Sequence, residues 1–240
     1  MISELYQMNK INRKNQLYFD FGRDYDAKFS NFFFSKNNNV LKQEVENLIE
    51  GSKNQDIFLQ GDSALGKTFL LNSIINDAKF ENDKKIYIDL AELDGSQNYF
   101  DELENFKLIC LDNVEAINQE LQVQVFNLIN ILKESDASLI LASSSHRKEL
   151  NFFPDLNSRL NQMTFFCINE LGPEETVECL KFISQNLNID LPEDIHDLMA
   201  KKIKRDFQNI KKAIIEFDKF LYSEKKQPTK MSAASFLKNF

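Results

Sequence analysis

The chain is poor in glycine, histidine and cysteine, and it contains no long apolar run. Six glycines occur in 240 residues, so a motif that demands glycine at fixed spacing stands out against a low background. The two histidines, His146 and His196, lie far apart in sequence. The three cysteines, Cys110, Cys167 and Cys179, are odd in number and lack metal-ligand spacing. A local His/Cys metal motif is therefore excluded, and idle thiols in a reducing compartment are expected. No stretch approaches the ~20 apolar residues of a membrane-spanning helix. Met1 to Asn15 lacks the apolar region of a signal peptide, so a cytoplasmic, membrane-free chain is expected. Positive charge is also in deficit: the net charge is −8, which argues against a dedicated DNA-binding surface. One basic cluster (Lys201, Lys202, Lys204, Arg205, Lys211, Lys212) is read as a solvated helical face rather than a binding patch. In bulk the composition is that of a globular protein, 42% hydrophobic and 28% charged. Its length holds one core plus a small second domain.

Two of the scarce glycines frame Gly61-Asp62-Ser63-Ala64-Leu65-Gly66-Lys67-Thr68, a complete G-x-x-x-x-G-K-T phosphate-binding loop. The apolar run Ile57-Phe58-Leu59 precedes it and a helical pattern follows, which is the context the motif requires. Glycine lets backbone N–H groups turn inward around phosphate oxygens. Lys67 supplies a point charge for the β and γ phosphates, Thr68 a hydroxyl for Mg²⁺, and the new helix its positive end. Binding of ADP or ATP with Mg²⁺ is expected.

From there strands and helices alternate. Strands are predicted at 56–60, 85–90, 107–111, 138–143 and 163–168, and helices at 40–49, 67–78 and 119–134, with a short helical stretch around 97–105. Alternation of this kind implies a parallel five-stranded sheet covered by helices. After Gly172-Pro173 only helical patterns remain, at 173–187, 192–203, 207–222 and 229–239. The expected domains are a mobile tail (1–22), an α/β nucleotide domain (23–170) and an all-helical lid (171–240).

Leu108-Ile-Cys-Leu-Asp112 is an apolar strand ending in a carboxylate, the Walker B pattern, in which Asp112 joins Thr68 in holding Mg²⁺. In many ATPases of this architecture a second carboxylate follows and polarises the attacking water. Here that position is Asn113, a poor base.

Several stretches together resemble the AAA+ module of the bacterial replication initiator DnaA, and more closely the Hda group of its regulators. They are Phe29-Ser-Asn-Phe32, the loop continuation GKTFLLNSI, the Leu111-Asp112-Asn113 triplet, and Pro154-Asp-Leu-Asn-Ser-Arg-Leu160. The last is similar to the box that presents an arginine finger. The resemblance implies an AAA+ P-loop fold with a helical lid and a partner relationship with the initiator. It also implies that Arg159 acts in trans on the initiator's ATP; the competing role for Arg159 is an ion pair with Asp155 on its own helix. Initiators of this group carry a further helix-turn-helix domain, so a chain ending at Phe240 is not expected to read DNA sequence directly. Gln16-Leu17-x-Phe19-x-Phe21 is similar to the peptide by which bacterial proteins bind the β sliding clamp, with Gln16 as anchor and Leu17, Phe19 and Phe21 as apolar contacts. An edge strand is the alternative for such a peptide.

Two positions depart from the group. The residue ending the fourth strand, usually Asp, falls on Ser144. The lid arginine that reaches the nucleotide phosphates falls on Gln208; Arg205, one turn earlier, is a candidate substitute, with a solvent-facing arginine as the alternative. With Asn113, these suggest weak intrinsic hydrolysis. The implied function is inhibition of replication initiation through clamp-tethered stimulation of the initiator's ATPase, with self-association possible. The alternatives are a helicase-loader-like or transposition-associated AAA+ ATPase and a nucleotide-stabilised adaptor without a catalytic contribution.

Overall fold

The computed structural model describes residues 23–52 and 54–240. They form two compact units. One comprises residues 23–29, Val40–Asp62 and Lys67–Ile168; the other comprises Ser30–Asn39, Ser63–Gly66 and Asn169–Phe240. The hexapeptide Gln16, Leu17, Phe19 and Phe21 lies outside the described residues.

The first unit is built on five parallel strands, β1 (Ile57–Gln60), β2 (Lys85–Asp89), β3 (Leu108–Asp112), β4 (Ser138–Ser143) and β5 (Thr164–Cys167). Their spatial order is β2-β3-β4-β1-β5. β1, β3 and β4 are buried at every position, as central strands covered on both faces must be. Edge strand β5 exposes Thr164 and Phe165. Helices α1 (Asn39–Ile49), α2 (Lys67–Asp77), α3 (Gln119–Leu132) and α4 (Pro154–Gln162) belong to this unit. In α3, Leu121, Val125, Leu128, Ile129 and Leu132 form the buried stripe, and the Asn118 side chain caps the helix by accepting from the Leu121 N–H. Because all strands run parallel, their carboxyl ends gather along one edge of the sheet, the edge where open α/β sheets place ligands. The register Gln60↔Ser143 sets the end of β4 beside the strand that feeds the phosphate loop.

In the second unit, α5 (Pro173–Asn186), α6 (Glu193–Ala200), α7 (Phe207–Glu224) and α8 (Lys230–Phe236) enclose a separate core that includes Leu180, Ile195, Met199, Ile214 and Phe217. The aromatic run at 32–34 joins this unit: Phe33 meets Phe182 with ring centroids 5.6 Å apart, and Phe32 stacks on Phe207 at 5.9 Å. Among the described residues, no helix is long and apolar enough to cross a membrane.

Two expectations need correction. The stretch around 97–105 is not an α-helix; only Leu103–Asn105 forms a single tight turn. Asn98 Oδ1 accepts from the Phe100 N–H, and Glu102 takes a left-handed backbone (φ 68), so side-chain competition and a reversed residue break the helix. The basic cluster is also not one helical face. Lys201, Lys202, Lys204 and Arg205 lie in the connection between α6 and α7, all exposed, and only Lys211 and Lys212 are on α7.

Candidate nucleotide-binding site

β1 delivers the chain into the loop at Gly61. A Cβ there would stand 2.7 Å from the carbonyl oxygen of Ile168, closer than real side chains approach, so glycine alone lets the loop leave the sheet beside the end of β5. At Gly66 the backbone has φ +92, and a Cβ would meet the Phe32 ring at 3.1 Å. Ala64 also adopts a left-handed backbone (φ 67). The loop then enters α2, whose first N–H groups have no intrahelical partners and present the positive end of the helix. Ser63 and Asp62 are exposed, Ala64 half-buried and Leu65 buried.

Lys67 is buried, and its ammonium donates to the carbonyl oxygens of Gly61 (2.7 Å) and Asp62 (2.9 Å). Burial pushes its pKa down, while the charges of Asp112, Glu115 and Asp62 oppose that shift. Next in sequence, Thr68 donates its hydroxyl to Asp112 Oδ2 at 2.5 Å. The Tyr87 hydroxyl donates to the same oxygen at 3.2 Å, and the Asn113 N–H donates to Oδ1 at 2.9 Å. Burial raises the Asp112 pKa, and these three donors partly offset the rise. A threonine hydroxyl beside a buried carboxylate is the donor set a hard oxygen-seeking cation takes. Among the described residues, no group of three or more His, Cys, Asp or Glu could hold a metal by itself. A cation at Thr68 and Asp112 would therefore complete its shell with phosphate and water oxygens.

Asn113 does not face the loop. Its backbone is left-handed (φ 55), and its amide donates to Asp89 Oδ1 at 2.7 Å, across to the end of β2. Two residues further on, Glu115 sits in a one-turn helix, Val114–Ala116. Its Oε1 accepts from the Ser144 N–H at 3.0 Å, while Oε2 is buried and has no hydrogen-bond partner among the described residues. Glu115, Tyr87 and Asp89 were not identified from the sequence. For Glu115 the available signal was an acidic residue within the D-N-V-E segment.

Two asparagines one turn apart on α2 tie down the entry segment. Asn72 accepts from the Asp24 N–H and donates to the Thr68 carbonyl, both at 2.9 Å. Asn76 accepts from Arg23 and donates to the carbonyls of Asp24 and Ala27.

In the second unit, Arg205 and Gln208 are both exposed. Arg205 lies just before α7, with its carbonyl accepting from the Leu171 N–H at 3.4 Å, and Gln208 lies in the first turn of that helix. On α4, Leu156 and Leu160 point into the core of the first unit, leaving Arg159 half-buried at the rim. Its guanidinium lies 3.5 Å from Gln162 Oε1 and 6.0 Å from the Phe126 ring centroid, and it makes no ion pair with Asp155.

A family model described as the bacterial DnaA ATPase domain matches residues 23–168. A protein of Haemophilus influenzae is 27% identical over 199 residues, covering 81% of this chain and 86% of its own length. Domain III of the replication initiation protein DnaA from Thermotoga maritima has a TM-score of 0.76 at 22% identity, over 91% of this chain and 98% of that one. AMPPCP-bound DnaA from Aquifex aeolicus has a TM-score of 0.68 at 23% identity, over 83% of this chain and 68% of that one. At these identities the structural likeness speaks to the fold.

Proposed function

Because the chain belongs to the family of bacterial DnaA ATPase domains, we propose that it is a cytoplasmic regulator of DNA replication initiation of the Hda kind. It holds ADP or ATP on Gly61–Thr68, with Lys67 against the β and γ phosphates and Thr68 and Asp112 toward Mg²⁺. A relative of this fold is AMPPCP-bound, which supports an adenine nucleotide as ligand. Bound Mg²⁺ would neutralise phosphate charge. The protein's own part is to position: Tyr87 and the Asn113 N–H fix the Asp112 carboxylate, and the Gly61 and Asp62 carbonyls fix Lys67. Residues 23–170 serve as the nucleotide domain and 171–240 as its lid.

The outward action runs through Arg159. The observation that carries this reading is its freedom from Asp155: the guanidinium rests at the rim of α4 on an amide oxygen and an aromatic edge. Neither contact neutralises its charge, so the guanidinium is available to an anionic partner group. A guanidinium at the γ-phosphate of an initiator's ATP contributes roughly 10³–10⁵ in rate in phosphoryl-transfer systems. The tail residues Gln16, Leu17, Phe19 and Phe21 tether the protein to the DNA-loaded sliding clamp, which raises its local concentration for a weak encounter.

The decisive experiment is initiator ATP turnover in the presence of DNA-loaded clamp, comparing wild type with Arg159→Ala and with Gln16→Ala/Leu17→Ala. Both variants are expected to lose stimulation, the tail variant together with clamp binding. Equal stimulation by Arg159→Ala removes the finger. Clamp and initiator binding with no stimulation by wild type points instead to an adaptor.

A further inference from the structure

Nucleotide holding leaves the Glu115 carboxylate, close to the end of β3, without a task. Of the two acidic side chains carried by the end of β3, Asp112 has both oxygens engaged, by Thr68, Tyr87 and the Asn113 N–H. Glu115 has one oxygen engaged, by the Ser144 N–H, and a second that is buried with no donor among the described residues. A buried acceptor without a donor is strongly unfavourable, and such a group points to a function or to a bound donor. Its surroundings narrow the choice. Ser144 follows β4, and β4 lies between β3 and the strand that feeds the phosphate loop. The Glu115 charge also acts on the Lys67 ammonium. The Asn113 amide is committed to Asp89 and turned toward β2.

We propose that Glu115 is the general base for hydrolysis of a nucleoside triphosphate held by this chain itself. The inference rests on the nucleotide-holding reading above. In the step, a water oxygen bonds to the γ-phosphorus as the bond from that phosphorus to the β–γ bridging oxygen breaks. The water proton passes to Glu115 Oε2 and then to the released phosphate, leaving a nucleoside diphosphate and inorganic phosphate. The Ser144 N–H holds Oε1 and so fixes the rotamer that leaves Oε2 available. A carboxylate three residues beyond Asp112 thereby supplies the base absent at Asn113, and the chain makes its own diphosphate form.

The test uses the full chain with Mg-ATP. Single-turnover hydrolysis is compared for wild type, Lys67→Ala, Glu115→Gln and the exposed control Glu134→Gln, alongside equilibrium binding of ADP and AMPPCP and chromatographic identification of the retained nucleotide. Glu115→Gln keeps an oxygen for the Ser144 N–H, so its fold is expected to be intact by circular dichroism. It should slow hydrolysis by about 10²-fold or more, bind AMPPCP within about threefold of wild type, and retain ATP where wild type retains ADP. Glu134→Gln should match wild type. The proposal is overturned if Glu115→Gln hydrolyses ATP like wild type. It is also overturned if its AMPPCP affinity falls by the same factor as its rate, which would make the carboxylate a holder of ligand or fold. Wild type that binds AMPPCP but turns over no faster than Lys67→Ala overturns it while leaving nucleotide holding intact. Failure of wild type to bind either nucleotide removes both readings.

Discussion

Asp112 illustrates how a single side chain is prepared for a ligand at some expense to itself. Its carboxylate is fully buried, and burial outweighs three hydrogen bonds in setting its pKa above the usual value. A proton and the Mg²⁺ of the proposed nucleotide complex would therefore compete for the same oxygens. Mg²⁺-dependent binding of AMPPCP is expected to be weaker at a mildly acidic pH than at neutral pH, as the raised pKa is approached from above. Isothermal titration at the two pH values checks this, and Asp112→Asn should abolish the pH dependence together with most of the Mg²⁺ effect. Gly61 is a second residue-scale case. Gly61→Ala forces a methyl against the Ile168 carbonyl, which is backbone and cannot swing aside. A loss of about 1–3 kcal/mol is expected in urea unfolding.

Among the elements, α2 does the most. It begins in the phosphate loop, buries Leu70, Leu71, Ile74 and Ile75, and through Asn72 and Asn76 grips the backbone of residues 24–27. Residues 24–27 are thus tied to the helix that carries Lys67 and Thr68. Asn76→Ala removes an acceptor for Arg23 and the amide group that donates to two backbone carbonyls. Faster amide exchange over residues 23–29 is the expected readout, with the sheet unchanged. α7 depends on its cap in the same local way. Asp206 accepts from the Asn209 N–H at 2.8 Å, and Asp206→Ala should cost about 1 kcal/mol in thermal or urea unfolding.

At the scale of the whole molecule, the helical unit has a hydrophobic core of its own, and one of its helices carries a buried histidine. His196 shares a 3.1 Å hydrogen bond with Ser184, and its other ring nitrogen, Nδ1, is buried without a partner among the described residues. Burial, aided by the charge of Lys181, lowers its pKa against the pull of Asp197 and Glu193. The folded state therefore resists protonation more than the unfolded state does. The associated stability is present above the ordinary histidine value of about 6.5 and is lost as the pH falls toward the lowered pKa. Unfolding of the helical unit should occur at lower temperature as the pH drops below about 6.5, and His196→Leu should flatten that slope.

The local pieces of this fold were legible in advance because their causes are local. Unbroken apolar runs mark β1, β3 and β4, and a phosphate loop is a contiguous string whose glycines, lysine and threonine work at fixed spacing. Asp112 could be found because it ends such a run. Asn113 was read by its lack of charge, whereas its side chain is turned toward Asp89, a contact that exists only because β2 lies next to β3. Glu115 was overlooked because it follows the expected position by two residues. It matters only after a one-turn helix and the placement of β4 bring the Ser144 N–H to it. The stretch around 97–105 had helical spacing, but backbone groups there are captured by neighbouring side chains, a competition that periodicity does not register.

By itself, then, the amino-acid sequence determined the phosphate loop, the apolar strands and the helical character of the second half, since each depends on neighbours along the chain. Only the tertiary structure decided the strand order and, with it, which carboxylate of the Asp112–Glu115 segment has an oxygen to spare. Hydrogen bonds and burial between strands distant in sequence determine that choice.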